Sequence, residues 1–186
     1  MPYNPKIHHR RSVRLKGYDY AQPGRYFITI CTENRECLFG QITQEAMILN
    51  ETGRVADACW LAIPDHFPAV VLHYHIVMPN HVHGIIEITG AVRDGVGAEH
   101  LLPNFLPLQP QPSFQHPTPR SIGSIVKGFK TGVSKWYRER FGVQERSIWQ
   151  RNYHEHIIRE DASFQRISEY IRTNPARWNK DRFYTH

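Results

Sequence analysis

The sequence is poor in acid, in cysteine and in long apolar runs, and each shortage removes a class of protein. Its 17 Asp and Glu stand against 23 Lys and Arg in 186 residues, a formal charge of +6 before 12 histidines are counted. The sequence pI is near 9.4. A balance of that sign bears on partners rather than on fold. It points to a polyanion such as nucleic acid or an acidic membrane surface. The three cysteines, Cys31, Cys37 and Cys59, are odd in number and show no C-x-x-C spacing. That argues against a zinc knuckle and a disulfide framework, and a reduced, cytoplasmic location is expected. No apolar run approaches the ~20 residues of a membrane helix, so no span is expected. Met1-Pro2-Tyr3-Asn4-Pro5 lacks the apolar segment of a secretory signal. What remains is ordinary globular composition, 40% hydrophobic and 12% aromatic. The length suits one domain, at about 100–200 residues each.

Residues 1–25 carry Lys6, Arg10, Arg11, Arg14, Lys16 and Arg25 against the single acid Asp19, with Pro and Gly interspersed. They read as a basic arm leading into a turn. The β-branched and aromatic run from Tyr26 to Thr32 predicts a strand. From Glu51 to Ile63 apolar residues recur at helical spacing, and Pro64 ends the pattern. Val70–Met78 and His81–Thr89 predict two antiparallel strands joined at Pro79-Asn80. Residues 90–119, rich in Pro, Gln and Ser, read as an inserted loop. A long amphipathic helix is expected over 121–141, with Lys127 and Lys130 on its polar face and Gly142 as its stop. A strand at about Tyr153–Arg159 and a helix from Asp161, closed by Asn174-Pro175, complete the series, and 176–186 is read as a tail. The order is β-α-β-β-α-β plus one helix, which predicts an α+β, ferredoxin-like (RRM-like) sheet with helices on one face. Many activities share that arrangement, so it assigns none.

The chemistry concentrates in histidine and tyrosine. On a strand, His81 and His83 point to one face and Val82 to the other. Two neutral imidazoles on one face suit a divalent ion with open positions, or are simply hydrogen-bonded histidines. His73-Tyr74-His75 repeats the spacing on the preceding strand. A four-histidine site is conceivable, but packing or hydrogen bonding near the site is favoured for this second pair. Among nine tyrosines, Tyr170 shares a helix face with Asn174 at i+4. It is also in phase with the apolar stripe of that helix, and on these residues alone core is the stronger reading. Tyr153 is the other candidate nucleophile.

Four segments, taken together, carry a resemblance. They are His75-Ile-Val-Met-Pro-Asn-His81-Val-His83-Gly, Gly128-Phe-Lys130, Ile148-Trp-Gln-Arg-Asn-Tyr-His-Glu-His156-Ile-Ile-Arg159, and Glu169-Tyr170-Ile-Arg-Thr-Asn174-Pro175. In this order, over about residues 10–180, the chain resembles the REP-associated tyrosine transposases, within the single-tyrosine HUH transposases. The resemblance implies a domain over 26–175 that nicks single-stranded DNA near a hairpin-forming repeat, joins a tyrosine to the 5′ phosphate and frees a 3′ hydroxyl. It implies Tyr170 as nucleophile, on the appended C-terminal helix, and His81, His83 and Asn174 as metal ligands. Mg²⁺ or Mn²⁺ would be the ion, the mixed nitrogen and oxygen donors suiting manganese. His156 and Arg159 are possible support for the site. Arg10, Arg11, Arg14 and Lys16, beside Tyr18 and Tyr20, and then Lys127 and Lys130, are the candidate DNA contacts. The chain would act as a monomer or homodimer. Two other readings stand beside this one: a nucleic-acid-binding module of the same fold without catalysis, and a histidine-based metal hydrolase that uses water.

Overall fold

The Tyr26–Thr32 run forms the strand around which the sheet is built. In the computed structural model, which describes residues 18–90, 121–143 and 147–184, β1 (Gly24–Cys31) pairs antiparallel with two neighbours. After it come a short hairpin, β2 (Gly40–Thr43) and β3 (Ala46–Leu49), then helices α1 (Glu51–Leu61) and α2 (Ile63–His66). Strands β4 (Val70–Met78) and β5 (His81–Ile88), helix α3 (Ile122–Phe141), strand β6 (His154–Ile158) and helix α4 (Asp161–Thr173) follow. The main sheet has the order β4-β5-β1-β6, and with two crossing helices it is the expected α+β, ferredoxin-like arrangement. Among the described residues no helix is long and apolar enough to cross a membrane. Arg10, Arg11, Arg14, Lys16 and all of the 90–119 loop after Gly90 lie outside the described residues.

Alternation along the strands divides the side chains between two layers. Tyr26, Ile28 and Ile30 of β1 and Val82 and Ile86 of β5 join Ala56 and Trp60 of α1 in the larger core, with Ile122, Ile125, Phe129 and Val133 of α3. The opposite face carries Phe27, Ile76, Ile85 and Ile158, and α4 lies on it through Phe164, Ile167, Tyr170 and Ile171. The two helices α1 and α3 of the β-α-β-β-α-β series therefore share one face, as expected. The appended helix covers the other face, where Phe27, Ile76, Ile85 and Ile158 give it an apolar surface to bury.

Capping explains the helix limits. Asn50 begins α1 by accepting a hydrogen bond from the Gly53 N–H. Ser121 and Ser124 form a reciprocal capping box on α3, which stops at Gly142 in the left-handed region (φ 67°). Pro64 does not end the helical path as expected. It sits in the first turn of α2, where its missing N–H is no loss.

Gly84 has a steric role. A Cβ there would come 2.2 Å from Trp60 Cζ2, and Trp60 is fully buried. Gly84→Ala is expected to displace the indole and lower the unfolding free energy by about 1–3 kcal/mol, read as a shift of the urea midpoint.

Three expectations need correction. The β2–β3 hairpin was not anticipated, because its turn residues Gln44 and Glu45 adopt positive φ (50° and 61°) without the Asn-Gly or Asp-Gly signature. Tyr20 is not free for stacking on bases: it is a core residue, and its carbonyl accepts from the Ile122 N–H. Tyr18 packs on that core and bonds the Tyr26 hydroxyl at 3.2 Å. Nor is 176–184 a tail. A 3₁₀ segment, Pro175–Lys180, returns the chain to the sheet, and Phe183 is buried.

Candidate metal and nucleophile site

His81 and His83 stand side by side on the face of β5 covered by α4, their ring centroids 4.4 Å apart, and both are fully buried. Val82 between them belongs to the opposite core. Each ring is held through Nδ1. For His81 the partner is Asn80 Oδ1 at 2.9 Å. The Asn80 amide nitrogen donates to the Phe183 and Arg35 carbonyls, so its oxygen is the end that accepts. The proton of His81 is therefore on Nδ1, and Nε2 carries a lone pair. That Nε2 is buried with no hydrogen-bond partner, an arrangement that native structures seldom leave without a ligand. For His83, Nδ1 meets Thr29 Oγ1 at 2.8 Å and Nε2 meets the Tyr170 hydroxyl at 3.2 Å.

Tyr170 reaches the same point from α4. Its hydroxyl also donates to Asp181 Oδ2 at 3.2 Å, and the Asn174 amide donates to that same oxygen at 2.8 Å. Asn174 is buried, and its Oδ1 is a second buried acceptor without a partner. The ligand atoms of His81, His83 and Asp181 all lie within 4.8 Å of one another. Two imidazole nitrogens and a carboxylate, with an amide oxygen beside them, are a donor set suited to a borderline divalent ion. The residues present fit the metal that the sequence resemblance implies.

Burial also fixes the protonation states. It pushes His81 down to about 4. His83 lies well below the usual imidazole range, lowered by burial and then by its neighbour His81. Burial and then the Asp181 carboxylate raise the Tyr170 phenol to about 12. Near neutrality the imidazoles are uncharged and ready to ligate, and the phenol keeps its proton. Below pH 6.5 the unfolded chain takes up protons on these histidines that the folded chain refuses. Stability in EDTA is therefore expected to fall as pH drops from about 6.5 towards 4, in urea titrations at several pH values, and His81→Gln should flatten the dependence.

The remaining candidates are placed as follows. His73 and His75 do not repeat the pair. A bulge between Leu72 and His75 adds one residue to β4 and turns the two rings to opposite faces. His73 meets Glu87 at 2.7 Å beside Phe164, whereas His75 meets Asp57 at 2.8 Å and stacks on Trp60. Tyr153 packs on the larger core, on the other face of the sheet from His83. His156 and Arg159 are exposed. His156 lies opposite Phe27, while His154 lies opposite Thr29 and closer to the cluster. Lys127 is exposed on α3. The Lys130 ammonium donates to the Gln150 and Asn152 carbonyls at 2.8 and 3.2 Å, so it ties α3 to the chain before β6. Asp181, Asn80, Thr29 and Phe183 were missed. Asn80 alone had a signal, as neighbour of His81 in the turn.

No family model matches the chain. A protein of Haemophilus influenzae (strain ATCC 51907 / DSM 11121 / KW20 / Rd), itself uncharacterized, is 47% identical over 184 residues, 98% of this chain and 97% of that protein. The chain belongs to that protein's family. Among solved structures, a REP-associated tyrosine transposase bound to a REP hairpin aligns over 88% of this chain and 73% of its own. The TM-score is 0.55 at 17% identity. At that identity the likeness shows a shared fold.

Proposed function

We propose that this protein is a DNA nickase and strand transferase of the REP-associated tyrosine transposase type, acting on single-stranded DNA beside a hairpin. The observation that carries this reading is the Tyr170 hydroxyl, 3.2 Å from both His83 Nε2 and Asp181 Oδ2 in a buried cluster with two unpartnered acceptors. The sequence motifs and the fold shared with a hairpin-bound transposase support it. The catalytic domain is 26–175, extended by the segment that brings Asp181. The basic arm, with Arg10, Arg11, Arg14 and Lys16, contacts DNA in this reading, as does Lys127.

His81 and His83 would hold a divalent ion, Mg²⁺ or Mn²⁺, with oxygen from Asp181 and Asn174. Such an ion supplies Lewis acidity at a phosphate oxygen. Tyr170 supplies the nucleophile. Its proton has two acceptors in reach. They are His83 Nε2 and Asp181 Oδ2, each 3.2 Å from the hydroxyl, and the proton passes to one of them. The phenol oxygen forms a bond to phosphorus, and the bond from phosphorus to the 3′ oxygen breaks. The product is a 5′ phosphotyrosine and a 3′ hydroxyl, which takes a proton from solvent. Because the phosphotyrosyl ester keeps the linkage, a 3′ hydroxyl can reverse the step. Thr29 and Asn80 orient the imidazoles, and α4 with Phe183 excludes water.

The test is incubation of the protein with single-stranded hairpin oligonucleotides and Mn²⁺ or Mg²⁺. A protein–DNA adduct that survives denaturant and disappears in EDTA is expected. Hairpin binding without an adduct under either ion would leave only a nucleic-acid-binding module.

A further inference from the structure

On the other side of the sheet, α3 and the segment 147–153 enclose an open groove of about 570 Å³. Its lining includes Lys127, Lys130, Lys135, Arg138 and Arg151, and no acidic side chain lines it among the described residues. Thr131, Ser134 and Ser147 also line it. Along α3 the cations from Lys127 to Arg138 extend over about 16 Å at 1.5 Å per residue, roughly five steps of a nucleic-acid strand at 3.4 Å. The groove has a rigid wall. Trp149 donates its indole N–H to the Lys130 carbonyl at 3.2 Å, and Lys130 in turn holds the Gln150 and Asn152 carbonyls. Lys130 thus shapes the groove and adds charge, while Lys127 and Arg151 stand exposed on its two sides. Lys135 is only loosely paired, 4.0 Å from Glu139. Arg138 Nε is buried in the protein without a hydrogen-bond partner.

Topology connects this groove to the cluster of Tyr170. Tyr153 lies in the groove and faces the larger core. The next residue, His154, begins the edge strand β6 and pairs with Thr29, which pairs with His83. One residue step over an open sheet edge therefore leads from the groove to the level of the histidines.

We propose that this groove binds the sugar–phosphate backbone of the DNA substrate, whose strand then crosses the start of β6 to reach Tyr170. The proposal rests on the function proposed above and adds where the DNA is held. Five cations and three Ser and Thr hydroxyls, with no acid among the described lining residues, suit phosphates. A positively charged groove that follows the backbone also suits a strand that leaves it single-stranded.

The test is fluorescence anisotropy of a labelled DNA hairpin with a single-stranded flank, in EDTA, over a series of salt concentrations. Lys127→Gln/Arg151→Gln is expected to bind roughly 10- to 100-fold more weakly at ~0.1 M salt. Its log Kd against log salt should be shallower by about two, at ~0.7–0.9 per lost phosphate contact. Arg54→Gln/Arg140→Gln removes the same charge from exposed sites outside the groove and should stay near wild type. Wild-type affinity in the groove variant, or an equal loss in both variants, would overturn the proposal. If wild type forms the covalent adduct and the groove variant binds normally, the proposal fails alone. If wild type binds through the groove but forms no adduct, the nickase reading fails and the groove assignment stands.

Discussion

Tyr170→Phe is expected to lower covalent adduct formation by ~10³-fold or more, since the change removes the attacking oxygen itself. The fold should tolerate it. The ring keeps its edge-on contact with Phe27 and its contact with His83, whose centroids lie 6.2 and 5.2 Å away. The lost hydroxyl bonds His83, Asp181 and the Asn174 amide and supports no backbone group. Tyr153→Phe should retain adduct formation, because Tyr153 packs on the opposite layer with the Lys130 ammonium 6.0 Å from its ring. The measurement is a denaturing gel of labelled hairpin DNA with metal, wild type and both variants side by side. Cleavage that persists in Tyr170→Phe with a free 5′ phosphate would make water the nucleophile and the protein a histidine-based hydrolase. Loss in Tyr153→Phe alone would move the nucleophile to the other face.

Asp181→Ala is expected to weaken Mn²⁺ binding by ~10–100-fold, by calorimetry or by loss of the free-ion signal in electron paramagnetic resonance. Two neutral imidazoles bring no charge to a dication, so the carboxylate is the charged donor in the cluster. Asn174→Ala removes the amide that points Asp181 Oδ2 and a buried oxygen, and a smaller loss is expected. Lys180→Ala, next to Asp181 but outside the cluster, is the control. Unchanged affinity in Asp181→Ala would remove the carboxylate from the ligand set and leave it as partner of Tyr170 alone. Because the readout is binding, it stands whether or not DNA is cut.

Sequence by itself determined the elements whose signal is local. The period-2 alternation of β1 and β5, the apolar stripe and glycine stop of α3, and the i, i+2 spacing of His81 and His83 each follow from geometry within a few residues. The fold class followed from the order of those elements. The tertiary structure alone decided what depends on packing between distant segments. The bulge in β4 parts His73 from His75, although their spacing matches that of His81 and His83. Asp181 is 98 residues from His83 in the chain and 11 beyond Tyr170, with no periodicity tying it to either, and only the return of 175–184 brings it within 4.8 Å of the imidazoles. Lys130 looks like any lysine on a polar helix face until the 147–153 segment places three carbonyls around it. Side-chain periodicity records which face a residue takes on its own element. Which partners meet it there is set by the burial of apolar surface on both sides of the sheet, and that is a property of the whole chain.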